Sequence, residues 1–275
     1  MTRVRLMTFN VRGAPPEDGI NIWKNRAAHA VALIKAVAPD VIGFQEVHAE
    51  NLTTFQPALN EYDYAIGPMT NRLDKILYNA IFWKSNLFRC ARVGGFYLST
   101  TPDVWSKDWD AGRVRAANWV RLRHTKERFE FFHFNTHLDH IGQMARVQES
   151  KILLHQLTQI MVKPLPVFLT GDFNSPPETA SSDSGETPYN VIRNFGFTDL
   201  FRSVHVQNGA KENTFHGFQG EQFGANKNLA ALRIDWILML SPSRSVTVES
   251  SAIIRTAAPP IYPSDHYPVI ADVHF

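Results

Sequence analysis

The amino-acid sequence predicts a layered α/β protein. Over all 275 residues, short segments rich in aromatic and β-branched side chains alternate with longer segments of helical periodicity. No internal repeat and no linker rich in Gly and Ser divides the chain. Strands and helices that are mixed along the whole length are typical of packed α/β layers. We therefore expect a single domain that spans residues 1–275.

The first half of the chain contains several clear elements. Residues 3–10 alternate between polar and apolar side chains, which predicts a half-buried strand. Residues 23–38 place small and aliphatic side chains at helical spacing, and Pro39 ends this helix. The apolar run at 41–47 predicts a buried strand, and the aromatic segment at 78–84 predicts another.

The second half continues the alternation. Six segments have the composition of strands: 116–123, 129–136, 165–170, 233–240, 246–254 and 269–273. A helix is expected at about 143–161, because Leu153, Leu157 and Met161 would lie on one face. This order of elements again favours α/β layers.

The charge of the chain bears on its partners. The formal net charge is +2, and 20% of the residues are charged. Proteins that bind duplex DNA usually carry a stronger basic surface, because contacts with phosphates supply most of the affinity. The composition therefore leans away from duplex DNA without excluding nucleic acid.

Targeting signals and disulfides are not evident in the sequence. The first residues lack the apolar stretch of a signal peptide, and no run approaches the roughly 18 apolar residues of a membrane span. The single cysteine, Cys90, excludes an intramolecular disulfide and fits a reducing compartment. We expect a cytoplasmic monomer without a membrane span.

Polar side chains cluster where the predicted strands end. These residues are Asn10, Glu46, His137, Asp139, Asp172, Asn174 and Asp235, with Asp265 and His266 just before the last strand. Buried carboxylates are costly when unpaired, so several at one sheet edge indicate a bound cation. Oxygen donors suit Mg²⁺, Mn²⁺ or Ca²⁺. Zinc is disfavoured because no cysteine partners are available.

These residue types match the needs of phosphate ester hydrolysis. The reaction requires an oriented water, charge stabilisation on the phosphoryl oxygens and protonation of the leaving group. Asp172 and Asn174 are candidates for holding the water, and Glu46 and Asp265 for holding the metal. The imidazole chemistry would come from His137 and from His266 paired with Asp235.

Seven short motifs span nearly the whole chain. They are TFNVRG (8–13), FQEV (44–47), NAIFW (79–83), NTHLDH (135–140), GDFNS (171–175), IDWIL (234–238) and SDHYPV (264–269). In this order and spacing they resemble the motifs of the endonuclease/exonuclease/phosphatase superfamily. The resemblance implies a DNase I-like fold, which is a four-layer α/β/β/α sandwich of two mixed β-sheets flanked by helices. The active site would lie at the strand ends where the sheets meet.

The resemblance also implies roles for individual residues. By position, Glu46 and Asp265 resemble metal ligands, and Asn10 lies close by. Asp172 and Asn174 resemble the residues that orient the nucleophile and stabilise the transition state.

Two histidines indicate which branches of the superfamily the chain resembles. His266, with Asp235 behind it, resembles the catalytic dyad of the superfamily. His137 matches the histidine of the phosphatase, sphingomyelinase and deadenylase branches, which abasic-site endonucleases usually lack. The chain is most similar to a group of small, single-domain microbial proteins that share four segments: WKNR (23–26), YLSTTPD (97–103), R-x-A-x-W (115–119) and TFHGF (214–218).

Four residues are predicted to bind the substrate: Asn79, Trp105, Arg115 and His216. Arg115 would reach the phosphate across the cleft, or would be a salt-bridged strand residue. Trp105 and His216 lie in loops that would rim the pocket or pack against other parts of the protein. Asp139 and His140 fit either the site or a turn that leads into the helix.

The sequence thus predicts a divalent-metal-dependent hydrolase of phosphate esters, either a phosphodiesterase or a phosphatase. Water would attack in line with metal assistance, and Mg²⁺ is the expected ion, with Mn²⁺ or Ca²⁺ as alternatives. The expected substrate is a small phosphorylated molecule or a single-stranded nucleic-acid end.

Three other functions remain open at this stage. A nuclease acting on DNA or RNA would need a basic track, which requires the fold to gather Arg113, Arg115, Lys211 and Lys227. A non-catalytic scaffold would show a gap in the set of acids and histidines, and none is missing. The same site could also cleave a non-phosphate bond, because a fold does not determine a function.

Overall fold

The computed structural model describes residues 1–71, 77–177, 185–205, 212–223, 233–241 and 246–275. Two six-stranded mixed β-sheets pack face to face, and helices cover their outer faces. This is the four-layer α/β/β/α sandwich of the DNase I-like fold that the sequence predicted. Both Lys211 and Lys227 lie outside the described residues.

The first sheet has the strand order β11-β12-β1-β2-β4-β3. Its strands are β1 (Arg3–Asn10), β2 (Val41–Val47), β3 (Tyr62–Ile66), β4 (Tyr78–Lys84), β11 (Thr247–Ile253) and β12 (Val269–His274). Only β1 and β2 run parallel to each other, and the other neighbours are antiparallel.

The second sheet has the strand order β5-β6-β7-β8-β10-β9. Its strands are β5 (Phe88–Tyr97), β6 (Ala116–His124), β7 (Glu130–His137), β8 (Val167–Asp172), β9 (Thr198–Asp199) and β10 (Asp235–Leu240). Here β7 and β8 form the parallel pair. Each sheet therefore contains one pair of parallel strands. The two strands of each pair end at the same edge of their sheet.

The described residues form five α-helices: α1 (Trp23–Val37), α2 (Ala49–Ala58), α3 (Gln143–Ile160), α4 (Pro188–Asn194) and α5 (Leu200–Val204). Helices α1 and α2 pack on the outer face of the first sheet, and α3 and α4 on that of the second. Short 3-10 turns occur at Pro16–Asn21 and Gly220–Gln222. Among the described residues, no helix combines the length and apolar character that crossing a membrane requires.

Apolar side chains fill most of the space between the sheets. Phe88, Phe131 and Phe168 are fully buried there, together with Leu6 and Ile237. Burial of side chains of this size removes much apolar surface from water. This hydrophobic effect is the main force that holds the two sheets together.

A polar layer replaces the apolar core towards one end of the sandwich. The amide Nε2 of Gln45 donates to Oδ1 of Asn135 at 2.6 Å and to Oγ1 of Thr8 at 3.1 Å. The amide Nδ2 of Asn135 donates back across the interface to the carbonyl of Phe44 at 2.8 Å. These bonds join the two sheets directly beneath the strand ends.

The strand register brings the polar strand ends together. Asp172 at the end of β8 is opposite both His137 of β7 and Asp235 of β10. Asn10 at the end of β1 is opposite Gln45, and Glu46 follows at once. These five predicted site residues therefore meet at one edge of the sandwich.

Candidate active site

The strand ends open into a cavity of about 610 Å³. This volume falls within the range of small-molecule sites in proteins. Seven of the predicted site residues line it: Glu46, Arg115, His137, Asp172, Asn174, Asp265 and His266. Asn10 and Asp235 are buried directly behind this wall, in contact with lining residues.

Asn10 connects the two sheets at the floor of the cavity. Its Nδ2 atom donates to Oε1 of Glu46 at 3.1 Å and to Oδ2 of Asp172 at 2.9 Å. Its Oδ1 atom accepts the main-chain N–H of Arg12 at 2.9 Å. One fully buried amide thus orients two carboxylates from opposite sheets.

Glu46 sits at an irregular position in β2. The pairing of β2 with β4 shifts between Phe44 and Val47, and Glu46 has a φ of 57°. A β-bulge of this kind redirects a side chain, and strained non-glycine backbone concentrates at functional sites. Burial opposes ionisation, but the bond from Asn10 and the positive charge of Arg12 outweigh it and lower the pKa of Glu46.

Asp172 is the centre of the cluster. Its Oδ1 atom accepts the main-chain N–H of Asn174 at 2.9 Å. Its Oδ2 atom lies 3.4 Å from Nε2 of His137 and 3.8 Å from Nε2 of His266. Burial and the nearby charge of Asp235 raise the pKa of Asp172, so this carboxylate is a better base than an exposed one.

Asn174 and His137 form a second polar pair beside Asp172. Nδ2 of Asn174 donates to Nε2 of His137 at 3.0 Å and to the carbonyl of Leu138 at 2.9 Å. Burial and the charge of Arg115 hold the pKa of His137 well below its usual range. His137 is therefore neutral, and its Nε2 atom accepts the bond from Asn174.

Asp235 and His266 form a buried dyad. Oδ2 of Asp235 accepts a hydrogen bond from Nδ1 of His266 at 2.9 Å. Burial disfavours the imidazolium, but the charge and hydrogen bond of Asp235 and the charge of Asp172 together raise the pKa of His266 to about 10. The ring of Phe215 packs edge-on against the imidazole, with centroids 5.0 Å apart. At neutral pH, His266 is thus a cation whose Nε2–H faces the cavity.

Asp265 is buried beside this dyad on the segment before β12. Its Oδ1 atom accepts from Oγ of Ser264 at 3.2 Å, and its Oδ2 atom lies 3.7 Å from Nε of Arg12. Burial raises the pKa of Asp265, although the charge of His266 opposes this effect.

Potential metal-ligating groups cluster in two sets among the described residues. One set contains Glu46, His137 and Asp172, and the other contains Asp172, Asp235 and His266; within each set the ligand atoms lie within 4.8 Å of one another. Asp265 belongs to neither set. The predicted pairing of Glu46 with Asp265 at a metal therefore stays a prediction.

Of the four predicted substrate-binding residues, only Arg115 lines the cavity. Asn79 is buried between the sheets, where its Nδ2 atom donates to the carbonyl of Ala116 at 2.8 Å. His216 is buried and stacks on Tyr267 with centroids 4.0 Å apart, and its main-chain N–H donates to the carbonyl of Asp265 at 2.9 Å. Trp105 is half-buried outside the cavity wall. In the structure, Asn79 and His216 make contacts with other parts of the protein. Their predicted contact with substrate stays a prediction.

The cavity is also lined by residues to which the sequence assigned no role in the site, or only an alternative one, as for Arg113 and His140. These are Arg12, Glu17, His48, Asn71, Arg113, His140 and Phe215, among others. Three of them stand inside or beside quoted motifs: Arg12 in TFNVRG, His140 in NTHLDH and Phe215 in TFHGF. Their motif positions were the available signal, but only the folded chain shows which side chains face the cavity.

Comparisons with known proteins give a consistent result. A family model described as the endonuclease/exonuclease/phosphatase family matches residues 7–266. The structure of a mannosyl-6-phosphatase from Bacteroides thetaiotaomicron is similar with a TM-score of 0.85 and 28% identity, over 99% of this chain and 100% of that one. An endonuclease/exonuclease/phosphatase from Bacteroides vulgatus is similar with a TM-score of 0.85 and 29% identity, over the whole of both chains.

A relative with a nuclease description is also found. A probable RNA exonuclease of Schizosaccharomyces pombe is 26% identical over 196 residues, which cover 63% of this chain but only 37% of that protein.

Proposed function

The chain belongs to the endonuclease/exonuclease/phosphatase family, whose members hydrolyse phosphoesters, and on this premise we propose that it is a divalent-metal-dependent phosphatase of small phosphorylated molecules. The observation that carries the proposal is the arrangement of Asp172 between Asn10, Asn174 and the Asp235–His266 dyad. A basic carboxylate next to an imidazolium is a suitable pair for moving protons around a phosphate.

Asp172 is the group that orients and deprotonates the attacking water. Its raised pKa favours proton uptake, and its Oδ1 atom is held by the main-chain N–H of Asn174. His266 donates from Nε2 to a phosphoryl oxygen, where negative charge develops in the transition state. Asp235 keeps His266 protonated and oriented for this role.

The donor set fits a hard divalent cation. Glu46 is ionised, and its oxygen lies within 4.8 Å of ligand atoms of His137 and Asp172. Asn10 presents Nδ2 to these carboxylates, so it would join the ligands only with its amide turned to offer Oδ1. Carboxylate and amide oxygens suit Mg²⁺, with Mn²⁺ and Ca²⁺ as alternatives. When bound, such an ion supplies charge neutralisation on the phosphate oxygens.

Three observations favour a small substrate over a nucleic acid. The cavity has the size of a small-molecule site, and the net charge is only +2. The mannosyl-6-phosphatase matches this chain over its full length, whereas the probable RNA exonuclease matches over little more than a third of its own length. Cleavage of a single-stranded nucleic-acid end is the second candidate, because that relative is described as an exonuclease.

The test is a panel of substrates assayed with EDTA, Mg²⁺, Mn²⁺ or Ca²⁺. The panel contains p-nitrophenyl phosphate, bis-p-nitrophenyl phosphate, sugar phosphates and a short single-stranded oligonucleotide. We expect metal-dependent release of phosphate, fastest from a sugar phosphate, and its loss in Asp172→Ala and His266→Ala. Arg123→Gln is the matched control, since Arg123 is exposed and far from the cavity wall. If folded protein hydrolyses none of the substrates in the panel, the proposal is refuted. Faster hydrolysis of the oligonucleotide than of the other substrates would favour the second candidate.

A further inference from the structure

One wall of the cavity carries positive charge beyond the groups that surround Asp172. Arg113, Arg115 and His140 line this wall, and we call them the cationic wall. Arg115 is only 8% exposed, and its Nε atom is buried without a hydrogen-bond partner among the described residues. Arg113 is exposed, and its guanidinium makes no hydrogen bond or ion pair with the described part of the chain. Arg113 therefore keeps its guanidinium donors for a ligand, and Arg115 has a donor that no described residue satisfies.

A single buried carboxylate holds the cationic wall together. Oδ2 of Asp139 accepts the main-chain N–H of Arg113 at 3.0 Å and lies 3.8 Å from Nε of Arg115. Oδ1 of Asp139 accepts the main-chain N–H of Ile141 at 2.9 Å, which orders the turn that carries His140. Asp139 is fully buried, so the wall is built by the fold and is not a chance meeting of surface side chains.

The third member of the wall is also a donor. Nη2 of Arg115 lies 3.2 Å from Nδ1 of His140, and a guanidinium can only donate, so Nδ1 accepts. A neutral imidazole that accepts at Nδ1 carries its proton on Nε2. The side chain of His140 is 42% exposed, which leaves this Nε2–H available to a ligand in the cavity.

The chemistry of the cationic wall matches a phosphate group. Guanidinium groups bind phosphate oxygens through paired, charge-assisted hydrogen bonds. Two guanidinium groups and one carboxylate leave an excess of one positive charge on the wall. The cavity, at about 610 Å³, has room for a substrate much larger than one phosphate group.

We propose that the cationic wall is a second anion subsite, and that the substrate is a small molecule with a second phosphate group on its leaving-group side. The inference rests on the proposed function, because it takes the scissile phosphate to lie at Asp172 and His266. The second phosphate is held and not cleaved, since the carboxylate beside the wall, Asp139, is fully buried and bonded to main-chain N–H groups, where no attacking water can reach it.

The subsite is tested by binding, which does not depend on turnover. The dissociation constants of fructose 1,6-bisphosphate and fructose 6-phosphate are measured by calorimetry with Asp172→Asn protein in Mg²⁺. We expect the bisphosphate to bind at least tenfold more tightly than the monophosphate. Arg113→Gln in the same background should remove most of this preference, whereas the matched control Arg123→Gln should retain it.

Three results would overturn the subsite. The first is equal affinity for the two ligands, and the second is failure of both to bind. The third is an equal loss of affinity for both ligands in Arg113→Gln, which would indicate general damage to the cavity. Failure of the proposed function has a different signature, namely no metal-dependent turnover of any substrate in the panel by the wild-type protein.

Discussion

At the scale of single residues, His266 shows how burial and a partner together determine a protonation state. Burial alone would keep the imidazole neutral, as it does for His133, where burial lowers the pKa to about 3. For His266 the charge and hydrogen bond of Asp235 at 2.9 Å, with the charges of Asp172 and Asp265, outweigh burial and raise its pKa to about 10. The two histidines have similar burial, so the carboxylates make the difference.

Replacing Asp235 should therefore change the pH dependence of the reaction. In the proposed mechanism the active form of His266 is the imidazolium, which is lost as pH rises through its pKa. In Asp235→Asn the attraction of the carboxylate is gone, and the alkaline limb of the kcat/KM profile should move down by roughly 1–3 pH units. Initial rates across a pH series measure this shift. Glu130→Gln, a carboxylate variant distant from the cavity, should leave the limb in place, and an unmoved limb in Asp235→Asn would contradict the role given to the dyad.

The hydrogen bonds of the buried Arg26 indicate what this residue does in the structure. It is fully buried, and its five N–H donors all bind main-chain carbonyls. The accepting carbonyls belong to Asn21, to the segment 11–13 and to Pro263. Arg26 thereby holds together the loop after Asn10 and the segment that leads to Asp265.

Arg26→Lys should be destabilising even though it keeps the charge. Lysine has three donors in place of five, so at least two buried carbonyls would lose their partners. The expected loss is about 2–5 kcal/mol in the free energy of unfolding, with a lower kcat because the loops that carry Asn10 and Asp265 move. Urea denaturation measures the stability. The exposed control Arg123→Lys should change it by less than about 0.5 kcal/mol, and a similarly small effect at Arg26 would contradict this account.

At the scale of elements, the two sheets approach closely at Gly43 of β2. A Cβ atom at this position would lie 2.1 Å from Oγ1 of Thr170 and 2.7 Å from Oδ1 of Asn135. Both atoms belong to the polar layer that joins the sheets beneath the site. Glycine is therefore required here by the distance between the sheets.

Gly43→Ala should separate the sheets locally or break the polar layer. The expected cost is about 1–3 kcal/mol of stability, because the neighbouring atoms are held by hydrogen bonds and cannot simply rotate away. Thermal or urea unfolding checks the prediction. Wild-type stability in Gly43→Ala would show that the sheets are packed less tightly than the structure indicates.

Strands and helices with a strong periodic pattern could be predicted from the sequence. An edge strand and a short helix could not. Every predicted strand and both predicted helices are present, with ends within two residues of the expected positions. The prediction missed β5, which is an edge strand with two glycines, two arginines and a shift in pairing near Cys90. It also missed α2, whose interior contains Pro57. Edge strands and short helices bury little surface, so their sequences are under weaker constraint.

The candidate site likewise has residues that the sequence could identify and positions that it could not show. Residues at strand ends, such as Asp172 and Asp235, were identified because the motifs mark them and the register brings them together. The closeness of Glu46 to His137 was not predicted, since it depends on the bulge at Glu46. The sequence left open whether His216 rims the pocket or packs against the protein, because a loop sequence does not show which way its side chains point.

At the scale of the whole molecule, the site exists only when both sheets are packed together. Asn10 and Glu46 come from the first sheet, and Asp172, His137 and Asp235 from the second. The apolar core between the sheets is continuous, with Leu6 and Val269 of one sheet packed among Phe131 and Phe168 of the other. Loss of this interface would therefore remove the site and the fold together.

The single domain that the sequence predicts should unfold in one cooperative step. In calorimetry, the van't Hoff enthalpy should equal the calorimetric enthalpy, and activity should be lost in the same transition. Two resolved transitions, with one sheet unfolding before the other, would contradict the expectation of one domain. The expected monomer likewise stays a prediction.

The measurement that tests the central claim most directly is release of inorganic phosphate by EDTA-treated protein before and after addition of Mg²⁺, in wild type and in Asp172→Asn. The variant keeps the shape of the side chain but cannot take up the proton of the attacking water. We predict that Mg²⁺ restores phosphate release in the wild type and that Asp172→Asn is slower by roughly a hundredfold or more. A rate that does not respond to EDTA and Mg²⁺, or a variant as active as the wild type, would contradict the account.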